Sequence, residues 1–182
     1  MRPLKIATIL VMTMAVSAPA LAKDLTEAKI TDFFEESAEM QQKGKDKALA
    51  FLEEHVSDDA VIHLTTMVKM AGDPTTREDV RTFTKREMID ATGDSYDVGE
   101  IERVENKIIS VEIADDKQSA EVKDTNFTIM SMQMPSADGK GVKFKSETTM
   151  FCTDTVIMNK KGVIQISKSE CTAEAKIEPL AQ

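Results

Sequence analysis

Beyond about residue 95 the chain alternates apolar and polar residues with period two, and it holds that pattern through Cys171. Ile109, Val111 and Ile113 mark the first run; residues 122–134, 142–158 and 163–171 make three more. Short turns at 115–118, at PSADGKG and at 159–162 separate them. Alternation at this period puts one side of each strand on a buried face, and short turns make neighbours antiparallel. Four long strands in a meander cannot bury that face alone, so a second layer has to come from upstream.

The upstream half supplies helices. In DLTEAKITDFFEESAEMQQK, Asp24 and Glu27 stand at capping-box spacing, and Ile30, Phe33, Phe34 and Ala38 form one stripe. Gly44 ends that helix, and DKALAFLEEHV predicts a shorter one with Leu49, Leu52 and Val56 on one side. SDDAVIHLTTMV reads as a strand. GDPTTREDVRTFTKREMID predicts a third helix, with Thr75 and Glu78 as its capping box and Val80 and Phe83 facing inward. The expected architecture is α+β: helices packed on a curved antiparallel sheet, cone-like, with a conical hollow at its open end. One domain covers residues 23–173, and 174–182 read as a loose polar tail.

Residues 1–22 are set apart. Arg2 and Lys5 precede an apolar run from Ile6 to Val16, and Ala20-Leu21-Ala22 is a small-x-small cleavage pattern. This predicts a signal peptide cut after Ala22 and a periplasmic protein with no membrane span once it is removed. The remaining chain has 21 basic against 32 acidic residues. A surface so acidic repels phosphate backbones and anionic headgroups, which speaks against a nucleic-acid partner.

Export gives the two cysteines a meaning. If Lys161 and Gly162 form a two-residue loop, Lys160 faces Val163, and Cys152 then falls directly opposite Cys171. A slip by two residues would separate them by roughly 7–8 Å, beyond disulfide reach. The predicted bridge closes a loop of roughly 18 residues and contributes about 3 kcal/mol on the chain-entropy account.

The stretches FFEESAEM…DKALAFLEEHVSDDAVIHL and TREDVRTFTKREM, followed by the meander, resemble the opening elements of the nuclear transport factor 2-like superfamily. That superfamily includes polyketide-cyclase-like and ketosteroid-isomerase-like proteins, and the resemblance runs from about Leu25 to Cys171. It implies a cone-shaped fold shared by enzymes, ligand binders and assembly modules. In the isomerase branch a general-base aspartate follows an Asp-Asp-Ala turn by five residues. Here the turn is Asp58-Asp59-Ala60 and that position is Leu64. The branch also carries a tyrosine on its first helix, whereas the sole tyrosine here is Tyr96. Both departures speak against isomerase chemistry.

His63 is the candidate for polar chemistry. It shares a strand face with Val61 and Thr65, and if that face lines the hollow it can act as acid or base, with Asp97 or Asp154 as conceivable partners. His55 is expected to meet the terminal carbonyls of the second helix. Met130, Met132 and Met134 alternate along one strand face, and Met150 lies on the next strand. Such thioethers fit ordinary core, the lining of a ligand pocket, or a Cu(I) site. No catalytic residue, cofactor or metal site is assigned. The leading reading is a non-enzymatic binder of a small apolar or amphipathic ligand, lined by His63, Met130, Met132, Met134 and Met150. The alternatives are a homodimeric or periplasmic interaction module, with Phe151 and Ile157 exposed for a partner, and a lyase, isomerase or cyclase with His63 as base.

Overall fold

A computed structural model describes residues 24–134 and 141–180 of the chain. The predicted signal segment and all but the last residue of the PSADGKG turn lie outside them. The elements run α1 (Glu27–Gln42), α2 (Lys45–His55), β1 (Val56–Met70), β2 (Thr76–Phe83), α3 (Lys85–Val98), β3 (Gly99–Ile113), β4 (Ser119–Met134), β5 (Val142–Met158) and β6 (Ile164–Pro179). The six strands form one curved, open sheet in the order β2-β1-β6-β5-β4-β3. The fold is the expected α+β cone. The sheet is mixed, however, because β1 runs parallel to β6.

The first helix keeps its stripe: Ile30, Phe33, Phe34 and Ala38 are all buried. Its cap is Thr26, whose hydroxyl accepts the Lys29 N–H at 3.3 Å, so the Asp24–Glu27 pairing is corrected. Gly44 follows at φ +100°, a conformation that a Cβ would disfavour, and opens α2. In α2 the buried residues are Ala48 and Phe51, with Leu49 and Leu52 half-buried. Phe51 turns inward because its ring stacks on Phe33 with centroids 5.6 Å apart.

The third helix starts later than expected. TREDVRTF is the strand β2, hydrogen-bonded to β1 with Val80 opposite Thr65. Val80 is 66% exposed there rather than inward-facing. Asp73, not a helix cap, accepts the Thr75 N–H at 2.9 Å. The capping box belongs to Thr84 and Glu87, where helix α3 begins. The same Thr-x-x-Glu spacing occurs twice within thirteen residues, and edge pairing with β1 decides between them.

Cys152 and Cys171 are paired across the β5–β6 ladder and bonded, with Cα atoms 4.2 Å apart. The turn reaches that register differently from the two-residue loop. Met158 pairs with Ile164, so five residues span the turn, with Asn159 Oδ1 accepting from the Lys161 and Val163 N–H groups. A bulge between Thr155 and Val156 then shifts the ladder by one and restores the cysteine pairing. β6 does not fray after Ala173. It pairs with β5 as far as Pro179 and with β1 as far as Ile177, so the predicted loose tail is largely an interior strand.

Replacing both cysteines by serine is expected to lower unfolding free energy by about 3 kcal/mol, read from the urea midpoint at unchanged slope.

Candidate functional site

The ladders assign every strand residue to a face. On the inner face, toward the helices, successive rows across β1, β6, β5 and β4 read Ile62–Ser169–Asp154–Val122, then Leu64–Cys171–Cys152–Asp124, Thr66–Ala173–Met150–Asn126 and Val68–Ala175–Thr148–Thr128. The narrow end is sealed by apolar packing: Leu25, Ile30, Phe33, Phe34 and Phe51 close over Ala120, Val122 and Val156. Beyond that floor Leu64, Thr66, Val68, Thr128, Met130, Met132, Phe144, Thr148 and Met150 are only half-buried. The helices therefore leave a strip of apolar and small polar surface uncovered.

Two carboxyls sit between floor and strip. Asp124 and Asp154 are each 4% exposed, and the Oδ1 of each has no hydrogen-bond partner among the described residues. Burial pushes Asp124 up to about 7, and the neighbouring Asp154 charge adds to it. Burial also raises Asp154, to about 6, while a hydrogen bond from Ser169 holds it lower. Two anions in an apolar setting are costly, so a proton taken up here relieves the repulsion and supplies a donor that the unpartnered oxygens lack. The Ser169 hydroxyl has one hydrogen, which goes to Asp154, and its oxygen also lies 3.1 Å from Cys171 Sγ.

A satisfied polar chain runs alongside. The Thr128 hydroxyl donates to Asn126 Oδ1 (2.8 Å), Asn126 Nδ2 to Asn106 Oδ1 (2.5 Å), and Asn106 Nδ2 to the Phe34 carbonyl (2.7 Å). It ties helix α1 to the sheet.

The sequence-expected residues separate. Met130, Met132 and Met150 share the inner face; the side chain of Met134 lies outside the described residues. Met130 packs on Gly99, where an added Cβ would come 2.6 Å from the Ser131 carbonyl oxygen. His63 is on the outer face, exposed, with Nδ1 2.8 Å from the Thr82 hydroxyl. β1 buries its even-numbered residues here, so His63 cannot share the hollow with the methionines. Neither conceivable partner meets it: Asp97 pairs with Lys45 at 2.5 Å and Asp154 is buried on the other face. His55 reaches across to the Ile164 carbonyl (2.8 Å) and stacks on Phe51, rather than capping its own helix. Leu64 stands on the inner face, and Tyr96 donates its hydroxyl to the Gln41 carbonyl at 2.6 Å. Asp124, Ser169 and the role of Asp154 went unread in the sequence, although both aspartates fall at the apolar phase of their strands, which was the available signal.

A helix pair and a third helix on one face of an open six-stranded cone, with β1 parallel to the last strand, decide the architecture. This is the nuclear transport factor 2-like fold. A nuclear transport factor 2-like protein from Cytophaga hutchinsonii superposes with a TM-score of 0.51 at 15% identity, over 82% of this chain and 99% of that one. A conserved protein from Planctomyces limnophilus gives 0.53 at 13% identity, over 85% and 97%. Aln2 from a Streptomyces species gives 0.50 at 18% identity, over 80% and 88%. At these identities the likeness is one of fold. By sequence the chain matches no protein-family model and no curated protein. The fold carries a groove of about 650 Å³ on its outer face, between the β1–β2 hairpin and Phe127, Glu147, Glu174 and Lys176. Among the described residues no helix is long and apolar enough to cross a membrane.

The acid pair has a pH signature. Both values lie above the ordinary 3.8, so between about pH 4 and pH 7 the folded chain holds more protons than the unfolded one. The pair's contribution is therefore most favourable below that window and is lost as pH rises through it. Asp124→Asn is expected to be more stable than the parent by a few kcal/mol at about pH 8, at ~1.4 kcal/mol per unit, with the gap closing near about pH 4 in urea titrations.

Proposed function

We propose that this chain is an exported protein that binds a small apolar or amphipathic ligand along the inner face of its cone, without catalysing a reaction on it. The observation that carries this reading is the uncovered strip from Leu64 and Met150 to Met130, Met132 and Phe144. It is apolar, half-buried and bounded at one end by a sealed floor. A concave apolar surface with a few hydroxyl and amide groups along it suits a ligand with a greasy body and one or two polar atoms. Thr66, Thr128 and Thr148 supply those groups, and the methionines conform to an irregular shape.

The chemistry available to such a ligand supports binding over turnover. Leu64 occupies the position of the isomerase base and cannot take a proton. His63 is on the far side of the sheet. The unpartnered carboxyl oxygens are fully covered by protein, so a ligand lying on the strip does not touch them.

A solvatochromic hydrophobic dye should bind saturably to the purified chain and be displaced by a medium-chain alkyl alcohol. Val68→Trp, which fills the strip from β1, should weaken dye binding by about tenfold or more, a loss of ~1.4 kcal/mol. Phe151→Ser on the outer face should leave it unchanged. Absence of saturable binding, or equal binding by the filled variant, would refute the reading. Export carries its own check: N-terminal sequencing of the periplasmic product should begin at Lys23.

A further inference from the structure

We infer that reduction of the Cys152–Cys171 bridge creates a buried binding site for a borderline-soft divalent cation such as zinc, held by both thiolates and Asp154, with Asp124 on the neighbouring strand adding negative charge beside it. The Sγ atoms of Cys152 and Cys171 and a carboxylate oxygen of Asp154 all lie within 4.8 Å of one another. Asp124 faces Cys152 directly on the neighbouring strand. Both carboxyls are 4% exposed, and each has an oxygen with no partner among the described residues. Those oxygens are enclosed too tightly for an organic ligand to reach. An ion is small enough.

The donor set selects the ion. Tetrahedral zinc takes thiolate sulfur at about 2.3 Å and carboxylate oxygen at about 2.0–2.2 Å, which spaces two sulfurs on one ion by roughly 3.8 Å. Once the bond is cut, side-chain rotation on two strands with Cα atoms 4.2 Å apart is enough to reach that spacing. A carboxylate among the ligands favours zinc over Cu(I), which prefers sulfur alone. The dication also offsets the like charges that the two aspartates otherwise carry side by side. Ser169, whose hydroxyl hydrogen-bonds to Asp154, orients that carboxylate, a supporting contact of the kind that metal ligands need.

The reduction is a thiol–disulfide exchange with a dithiol reductant. Its two thiols close into a ring disulfide, and two electrons and two protons pass to Cys152 and Cys171. Zinc then displaces those two thiol protons, together with any proton held by the carboxyl pair, and they leave to solvent. The oxidised bridge offers no thiolate, so the same residues hold no such ion while it is intact.

The test is a cobalt titration of the chain, reduced with a dithiol, freed of it without oxygen, and compared with the oxidised chain. One cobalt per reduced chain, with intense thiolate-to-cobalt absorption and tetrahedral visible bands, is the expected result, and zinc should displace it. Asp154→Asn should weaken binding tenfold or more while retaining the parent's far-ultraviolet circular dichroism. Four results would overturn the inference: no thiolate band in the reduced chain, equal binding by the oxidised chain, equal affinity in Asp154→Asn, or loss of the circular dichroism on reduction, since the site requires paired strands.

Discussion

Everything on the inner face depends on the register of β5 between its two neighbours. β5 pairs with β4 without interruption, so Asp124, Asn126, Thr128 and Met130 are locked onto the same side as Cys152, Met150, Thr148 and Ser146. A slip of one residue would turn Val122 and Val156 out to water and bring Lys123 and Phe151 against α1. The bulge at Thr155/Val156 shows how firmly the register is held. The five-residue turn alone would offset the cysteines by one position, and the bulge takes up the extra residue before the bridge is reached. The disulfide does not set this register by itself; it fixes a pairing already favoured by burial on one face.

β6 has a second task. Its outward edge receives β1 in parallel, which joins the N-terminal helices and β1–β2 hairpin to the C-terminal meander in one sheet. A strand covered on both edges has its ladder groups paired, and this holds residues 174–177 in the sheet despite their polar composition, with 178 and 179 held by β5 alone. The cone's curvature then separates the inner face into a sealed end, where Leu25 and four residues from two helices interlock, and an uncovered end with half-buried threonines and methionines. The same packing that excludes water from the floor isolates Asp124 and Asp154. Their raised values follow from burial first and from each other second. Buried like charges lower stability, so two of them beside a disulfide mark a place where the fold gives up stability for something other than packing.

What the chain states by itself is period and composition. The α1 stripe, the break at Gly44 and the extent of β5 were legible because each depends on spacing within one element; Cys152 does oppose Cys171, but through a longer turn and a compensating bulge that the hairpin spacing did not reveal. The class of fold followed, since four long alternating strands and a short set of amphipathic helices admit few arrangements. Contacts between distant elements were not legible. TREDVRTF has a helix cap signal and strand-forming Thr and Val residues at once, and only the free edge of β1 decides for strand. His63 and Leu64 sit next to each other, and nothing local says which faces the helices. That choice is made by β6 lying alongside, with Leu64 in the row of Cys171 and His63 in the row of Glu170. Asp124 and Asp154 are 30 residues apart in sequence and read as ordinary strand aspartates. They become a pair because β4 and β5 in register bring them to one buried face beside the apolar floor. Local sequence thus determined which elements form, through backbone periodicity and turn chemistry. Tertiary structure decided which faces meet, because burial is a property of the whole sheet rather than of any one strand.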